Sequence, residues 1–100
     1  MIRWLKLLNN SKLILESYGI KADIEIHLST ALPDDVRANV QGTGISADIL
    51  LSALHNKTED DVVLSIAHEL THIVCHKNKQ LDNVRVQEDI TTKLREALCA

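Results

Sequence analysis

The chain has 100 residues, of which 45% are apolar but only 2% are aromatic, and its formal net charge is −3. This length fits one domain built around a single, aliphatic core. The mild charge and the lack of a Lys/Arg cluster argue against a nucleic-acid partner, since such binding usually needs a basic surface.

Residues 1–10 mix charged and amide side chains with apolar ones, so they lack the uninterrupted apolar stretch of a signal peptide. No other segment approaches the length that a transmembrane helix needs. Cys75 and Cys99 are too few for a disulfide framework and lack the paired spacing of a cysteine-based zinc site. Packing explains Cys75 better than a nucleophilic role does. We therefore expect a cytoplasmic protein with reduced thiols and no membrane partner.

The first predicted element is a helix. Residues 2–18 carry apolar side chains at roughly helical spacing, and they are followed by Gly19, a common helix-terminating residue. The Asn9-Asn10-Ser11 step is a point at which this helix could divide in two.

Three segments then alternate apolar and polar residues, as strands do. They are residues 21–29, residues 36–41 after Pro33, and residues 45–54 after the Gly42-Thr43-Gly44 turn. The first segment has one apolar face and one polar face, which is typical of a strand with one face in water. The turn predicts that the second and third strands pair as a hairpin.

Two further helices are predicted. Thr58 precedes three acidic residues and has the features of an N-cap, and apolar periodicity runs from Val62 to about Cys75. After a loop, a last helix begins with Asp82 or Asn83 as its N-cap.

The predicted fold is therefore a single α+β domain over residues 1–100, in the order α-β-β-β-α-α. It comprises an N-terminal helix, a small three-stranded sheet, the helix that follows Thr58 and a C-terminal helix.

The residues with the clearest chemistry are His68-Glu69-Leu70-Thr71-His72, which match the pattern H-E-x-x-H. Residues four apart project from one face of a helix, so both imidazoles can meet one metal ion, with Glu69 beside them. Apolar residues fill the opposite side, so the helix can bury its back and present its polar front to a cleft. The alternative is a pair of ordinary surface histidines on an amphipathic helix.

A catalytic zinc ion usually takes three protein ligands and leaves a fourth position for water. Glu88 is the best candidate on length, because antiparallel packing of the two helices would place His72 and Glu88 level, each about 7.5 Å from the connecting loop. The remaining candidates are, in order, Asp82, Asp89 and His76. His76 lies on the same straight helix as the pair, so it could instead line the cleft or simply be exposed at the helix end.

The stretch from the third strand to Glu88 resembles zincins of the gluzincin type, in which an H-E-x-x-H helix is followed by a glutamate ligand on the next helix. Within that class, residues 68–76 look like the ImmA/IrrE family, where a further His often stands at the offset of His76. Those relatives are tied to mobile-element or stress regulators. The resemblance implies a minimal zincin-like fold, with the third strand at the sheet edge beside the cleft, where an extended peptide could add as another strand.

These observations predict a zinc metallopeptidase that hydrolyses a peptide bond in a protein or peptide substrate, a regulatory protein being one such partner. His68, His72 and Glu88 would hold one Zn²⁺, and Glu69 would act as the base. The donors also suit other first-row ions. Zincins usually add a His or Tyr that stabilises the oxyanion, and the one tyrosine here is Tyr18.

Two alternatives stay open. One is a zincin-fold module with weak or no catalysis that acts through protein interaction. The other is a structural domain in which Zn²⁺ joins two helices. The sequence does not indicate an oligomeric state.

Overall fold

The computed structural model describes residues 1–32, 38–41 and 46–100. Within them the elements are α1 Trp4–Ser17, β1 Asp23–Ser29, β2 Ala38–Gln41, β3 Ser46–Ser52, α2 Glu59–Lys77 and α3 Asn83–Cys99. The predicted α+β class is confirmed. The connection at Pro33, the predicted strand starts at Val36 and Ile45, and the Gly42-Thr43-Gly44 turn lie outside the described residues.

Helix α1 is continuous through the Asn9-Asn10-Ser11 step. The Asn10 Nδ2 donates to the Lys6 carbonyl at 2.7 Å, and the Ser11 hydroxyl donates to the Leu7 carbonyl at 2.7 Å. Both side chains thus donate hydrogen bonds to backbone carbonyls four residues earlier, so these residues are accommodated in the middle of the helix. The division that the sequence allowed does not occur. Beyond the helix, Gly19 has a φ of 76°, a conformation that favours glycine.

The sheet has the strand order β1-β3-β2, with β1 parallel and β2 antiparallel to β3. The antiparallel pairing of β2 with β3 agrees with the predicted hairpin. The expectation that β3 forms the sheet edge is wrong, because β3 pairs on both sides. The parallel register aligns Ile24 with Ala47 and Ile26 with Ile49, so the apolar faces of β1 and β3 coincide. The edges of the described sheet are β1 and β2.

Helices α1 and α2 pack against the sheet, and α3 packs against α1 and α2. The core between these elements is aliphatic, as the composition predicts. Its fully buried side chains include Leu7 and Leu15 of α1, Ile49 and Leu51 of β3, and residues of both C-terminal helices. Those of α2 and α3 are Val62, Val63, Ile66, Leu70, Val74, Ile90 and Leu94.

Helices α2 and α3 begin at side-chain caps, as the sequence predicts. The Thr58 hydroxyl accepts from the Asp61 N–H, and the Asp61 carboxylate accepts from the Thr58 N–H, each at 3.1 Å. The Asp82 carboxylate accepts from the Val84 N–H at 2.9 Å. These caps fix where each helix starts and therefore which faces meet. In the described parts of the chain, no helix has the length and apolar character needed to cross a membrane.

Candidate metal centre

Helix α2 separates an apolar back from a polar front. Its buried residues include Ile66, Ala67, Leu70 and Val74, whereas His68 and His72 are exposed. The predicted burial of the apolar back of this helix is therefore confirmed, and the packing against the core leaves both histidines exposed.

The two imidazoles are in direct contact. The Nε2 atoms of His68 and His72 are 3.0 Å apart, and the rings meet edge to face with an interplanar angle of 84°. Two nitrogen ligands of one tetrahedral zinc ion lie about 3.3 Å apart, given Zn–N distances of roughly 2.0–2.1 Å. The separation of the two imidazole nitrogens thus fits joint coordination of one ion.

Glu69 lies beside this pair and is buried, with 4% of its surface exposed. One ligand atom from each of His68, Glu69 and His72 falls within a cluster in which all atoms are within 4.8 Å of one another. Burial raises the pKa of the Glu69 carboxyl, and the neighbouring histidines oppose this rise. A carboxylate held this close to two imidazoles can exchange a proton with a water molecule between them.

Gln87 of α3 completes the surroundings of His68. Its Oε1 lies 3.2 Å from the His68 Nδ1. An amide oxygen only accepts hydrogen bonds, so this contact favours the tautomer with the proton on Nδ1 and leaves Nε2 free to bind a metal.

The H-E-x-x-H pattern does not predict Gln87, although the position of Gln87 along α3 carries a signal. It precedes Ile90 by three residues and Leu94 by seven, so it lies beside the apolar stripe that packs α3 against the rest of the protein.

Glu88, the predicted third ligand, is exposed on α3. Among the described residues, the donor cluster contains His68, Glu69 and His72 but not Glu88. The structure thus brings the H-E-x-x-H residues together and places Glu88 next along the chain to Gln87, which touches His68. Its role as a ligand stays a prediction.

The other candidate ligands also lie outside this cluster. Asp82 caps α3. Asp89 accepts from the Tyr18 hydroxyl at 2.5 Å and pairs with Lys93 at 3.0 Å. His76 is exposed near the end of α2.

Tyr18 and Cys75 can be placed as well. Burial and the hydrogen bond to Asp89 raise the pKa of Tyr18 to about 12, so the hydroxyl is held as a neutral donor to that carboxylate. Cys75 is half-buried and packs against the core, in agreement with the packing role expected for it.

A second group of potential donors lies on the exposed face of the sheet. The His27 Nε2 is 3.5 Å from a Glu25 carboxylate oxygen and 3.8 Å from one of Asp48. All three side chains are exposed. Ion pairs of this kind are common on protein surfaces without a metal, so this group adds no argument for a second ion.

Comparisons of the chain with protein-family models, with curated proteins and with solved structures return no significant match.

Proposed function

We propose that the protein is a zinc-dependent peptidase in which His68 and His72 are metal ligands and Glu69 is the general base. The observation that carries this proposal is the 3.0 Å separation of the two Nε2 atoms, next to a carboxylate that is 4% exposed. The contact of His68 with Gln87 adds support, because metal-binding histidines usually have their second nitrogen hydrogen-bonded.

A zinc ion at this position would supply Lewis acidity, which polarises a peptide carbonyl and acidifies water. The Glu69 carboxylate would take a proton from the attacking water as the water oxygen bonds to the carbonyl carbon. It would pass this proton to the amide nitrogen as the C–N bond breaks, which yields a carboxylic acid and a free amine. Because Glu69 is buried, its side chain already has little conformational freedom, so the proton transfer costs less entropy.

Glu88 is our proposed third ligand, since it follows Gln87, the α3 residue that contacts His68. The substrate would be a protein or a peptide, and the compartment the cytoplasm. The zincin resemblance, including that to the ImmA/IrrE family, is part of the same proposal.

The first test is metal content by elemental analysis after zinc loading and removal of free ions. We expect one equivalent of zinc in the wild type and in Glu69→Gln, and loss of this zinc in His72→Ala. Loss in Glu88→Ala would support Glu88 as a ligand, and retention there would remove it from the site. A wild type that remains free of zinc after loading contradicts the whole proposal.

Turnover is tested separately, by mass spectrometry of a diverse peptide mixture incubated with the loaded protein. Cleavage should fall on the order of 100-fold or more in Glu69→Gln, because the proton acceptor is lost while the ligands remain.

A second candidate function is a zinc-binding interaction module without turnover. It is favoured by the hydrogen bond that the Tyr18 hydroxyl donates to Asp89. Because this is the one tyrosine of the chain, no tyrosine hydroxyl is left to stabilise an oxyanion. Full zinc occupancy with no Glu69-dependent cleavage would select this alternative. A purely structural zinc is less well supported, because both histidines lie on α2 and by themselves join no two elements.

A further inference from the structure

Strand β1 lies at an edge of the sheet and pairs, among the described residues, with β3 alone. The carbonyl of Ser29 accepts from the Ala53 N–H at 2.8 Å, so the backbone groups of Ser29 point toward β3. These groups alternate in direction along a strand, so those of Ile24, Ile26 and Leu28 point to the open edge. Such an edge is a template for another strand.

Apolar side chains lie next to this edge, on the face of the sheet that carries the core. Trp4, Leu5 and Leu8 of α1 and Ile26 of β1 line a concavity of about 300 Å³. Leu5 is 70% exposed, and Leu28, further along β1, is 53% exposed. An apolar surface beside an open strand edge is typical of an association site.

We propose that β1 pairs with β1 of a second copy of this chain, antiparallel and centred on Ile26. In this register Ile26 lies opposite its own copy and Ile24 lies opposite Leu28. These residues offer outward-pointing backbone groups, so each pair exchanges two hydrogen bonds. The symmetry keeps both α1 helices on one face of the joined sheet, so the apolar surfaces of the two copies adjoin.

Charge complementarity favours the same register. Centring on Ile26 places Glu25 of each copy opposite His27 of the other, on the polar face that also carries Asp48. These are the positions without backbone hydrogen bonds between the strands, where facing side chains approach most closely.

The other registers that keep the apolar face inward are worse. The two nearest ones, centred on Glu25 and on His27, place the central Glu25 or His27 directly opposite its own copy. A pairing centred on Ile24 sets Glu25 opposite Asp23 and His27 opposite Lys21. A pairing centred on Leu28 sets Glu25 opposite Ala31, beyond the end of the strand. Like charges directly opposite destabilise a strand pair, so the sequence of β1 selects the register centred on Ile26.

The test is sedimentation velocity of the full chain over a range of concentrations, with a chelator present to exclude metal-bridged association. The wild type should dimerise as its concentration rises. Glu25→His and His27→Glu each place like residues opposite one another, so each should weaken the dimer on the order of tenfold. The double variant, Glu25→His with His27→Glu, again places a glutamate of one copy opposite a histidine of the other, so it should recover the dimer.

Glu25 and His27 are both exposed, so these substitutions leave the core untouched, and circular dichroism verifies the fold of each variant. Glu96→His, at an exposed position of α3, is the matched control and should dimerise like the wild type. A wild type that stays monomeric at every concentration overturns the proposal. A dimer that the single variants leave intact, or that the double variant fails to recover, overturns it as well.

Discussion

The His68 imidazole has a partner at each nitrogen. Its Nδ1 lies 3.2 Å from the Gln87 oxygen, and its Nε2 lies 3.0 Å from the His72 Nε2. When the His68 Nδ1–H donates a hydrogen bond to Gln87 and no ion is bound, the lone pair of the His68 Nε2 accepts a hydrogen bond from the His72 Nε2–H. A metal ion would replace that proton while the rings keep their positions, which limits the reorganisation that binding requires.

This geometry predicts that Gln87 strengthens metal binding without being a ligand. Gln87→Ala should weaken zinc affinity roughly 10-fold or more, because the ring orientation and the tautomer of His68 lose their support. Gln87→Glu keeps an acceptor at the same place and should retain or increase the affinity. The measurement is a competition titration with a chromophoric chelator.

The matched control for Gln87→Ala is Gln80→Ala, at an exposed position of the loop between α2 and α3. It should bind zinc like the wild type. Equal affinities of Gln87→Ala and the wild type would contradict a supporting role of Gln87.

At this scale the sequence predicts the pairing of His68 with His72 and the position of Glu69, because both follow from the geometry of one helix. It does not predict that α3 presents Gln87 to His68. That contact depends on the rotation of one helix against another, which side-chain packing determines and local periodicity does not encode.

At the scale of elements, local patterns predict the helices and strands but not their neighbours. Alternation along β1 and β3 identifies the apolar face of each strand. It does not reveal that β3 lies between β1 and β2, because parallel pairing joins strands that are distant in the chain. For this reason the sequence does not reveal that β3 is the central strand and not an edge strand.

Arg3 connects all three helices at their ends. Its Nη2 lies 2.6 Å from a Glu59 oxygen in the first turn of α2, and its Nη1 donates to the Leu98 carbonyl of α3 at 2.8 Å. The hydrogen bonds from Arg3 lower the pKa of Glu59 to about 2. Glu59 also lies at the N-terminus of α2, where negative charge is favourable.

This ion pair predicts a pH-dependent contribution to stability. Because the pKa of Glu59 is lower in the folded state, the contribution is present above the unfolded pKa of about 4.3 and is lost as pH falls toward 2. Arg3→Gln should therefore lower the free energy of unfolding at pH 7, and its difference from the wild type should shrink between about pH 5 and pH 2. Urea denaturation at a series of pH values measures this difference.

Arg85→Gln is the matched control, since Arg85 is an exposed arginine of α3. It should show no comparable change between those pH values. A difference between Arg3→Gln and the wild type that stays constant with pH would mean that Arg3 acts through the Leu98 carbonyl or through packing.

At the scale of the whole molecule, one aliphatic core holds α3 against α2, which brings Gln87 to His68 of the donor cluster. The candidate site therefore exists in the folded chain and is dispersed in the unfolded one. Ions that bind the folded state preferentially raise its stability. Zinc binding at His68 and His72 should thus be measurable as thermal stabilisation, independently of any turnover.

Zinc at about 100 times its dissociation constant should add about 2.7 kcal/mol to the free energy of unfolding, which corresponds to roughly 10 °C or more for a domain of this size. Differential scanning calorimetry measures the shift, with a phosphine reductant that keeps Cys75 and Cys99 as thiols.

Glu69→Gln should keep the shift, because it retains both imidazoles. His72→Ala should abolish it, whereas His76→Ala, on the same helix but outside the donor cluster, should not. A shift that survives in His72→Ala but disappears in His27→Ala would instead assign the ion to the Glu25-His27-Asp48 group on the sheet.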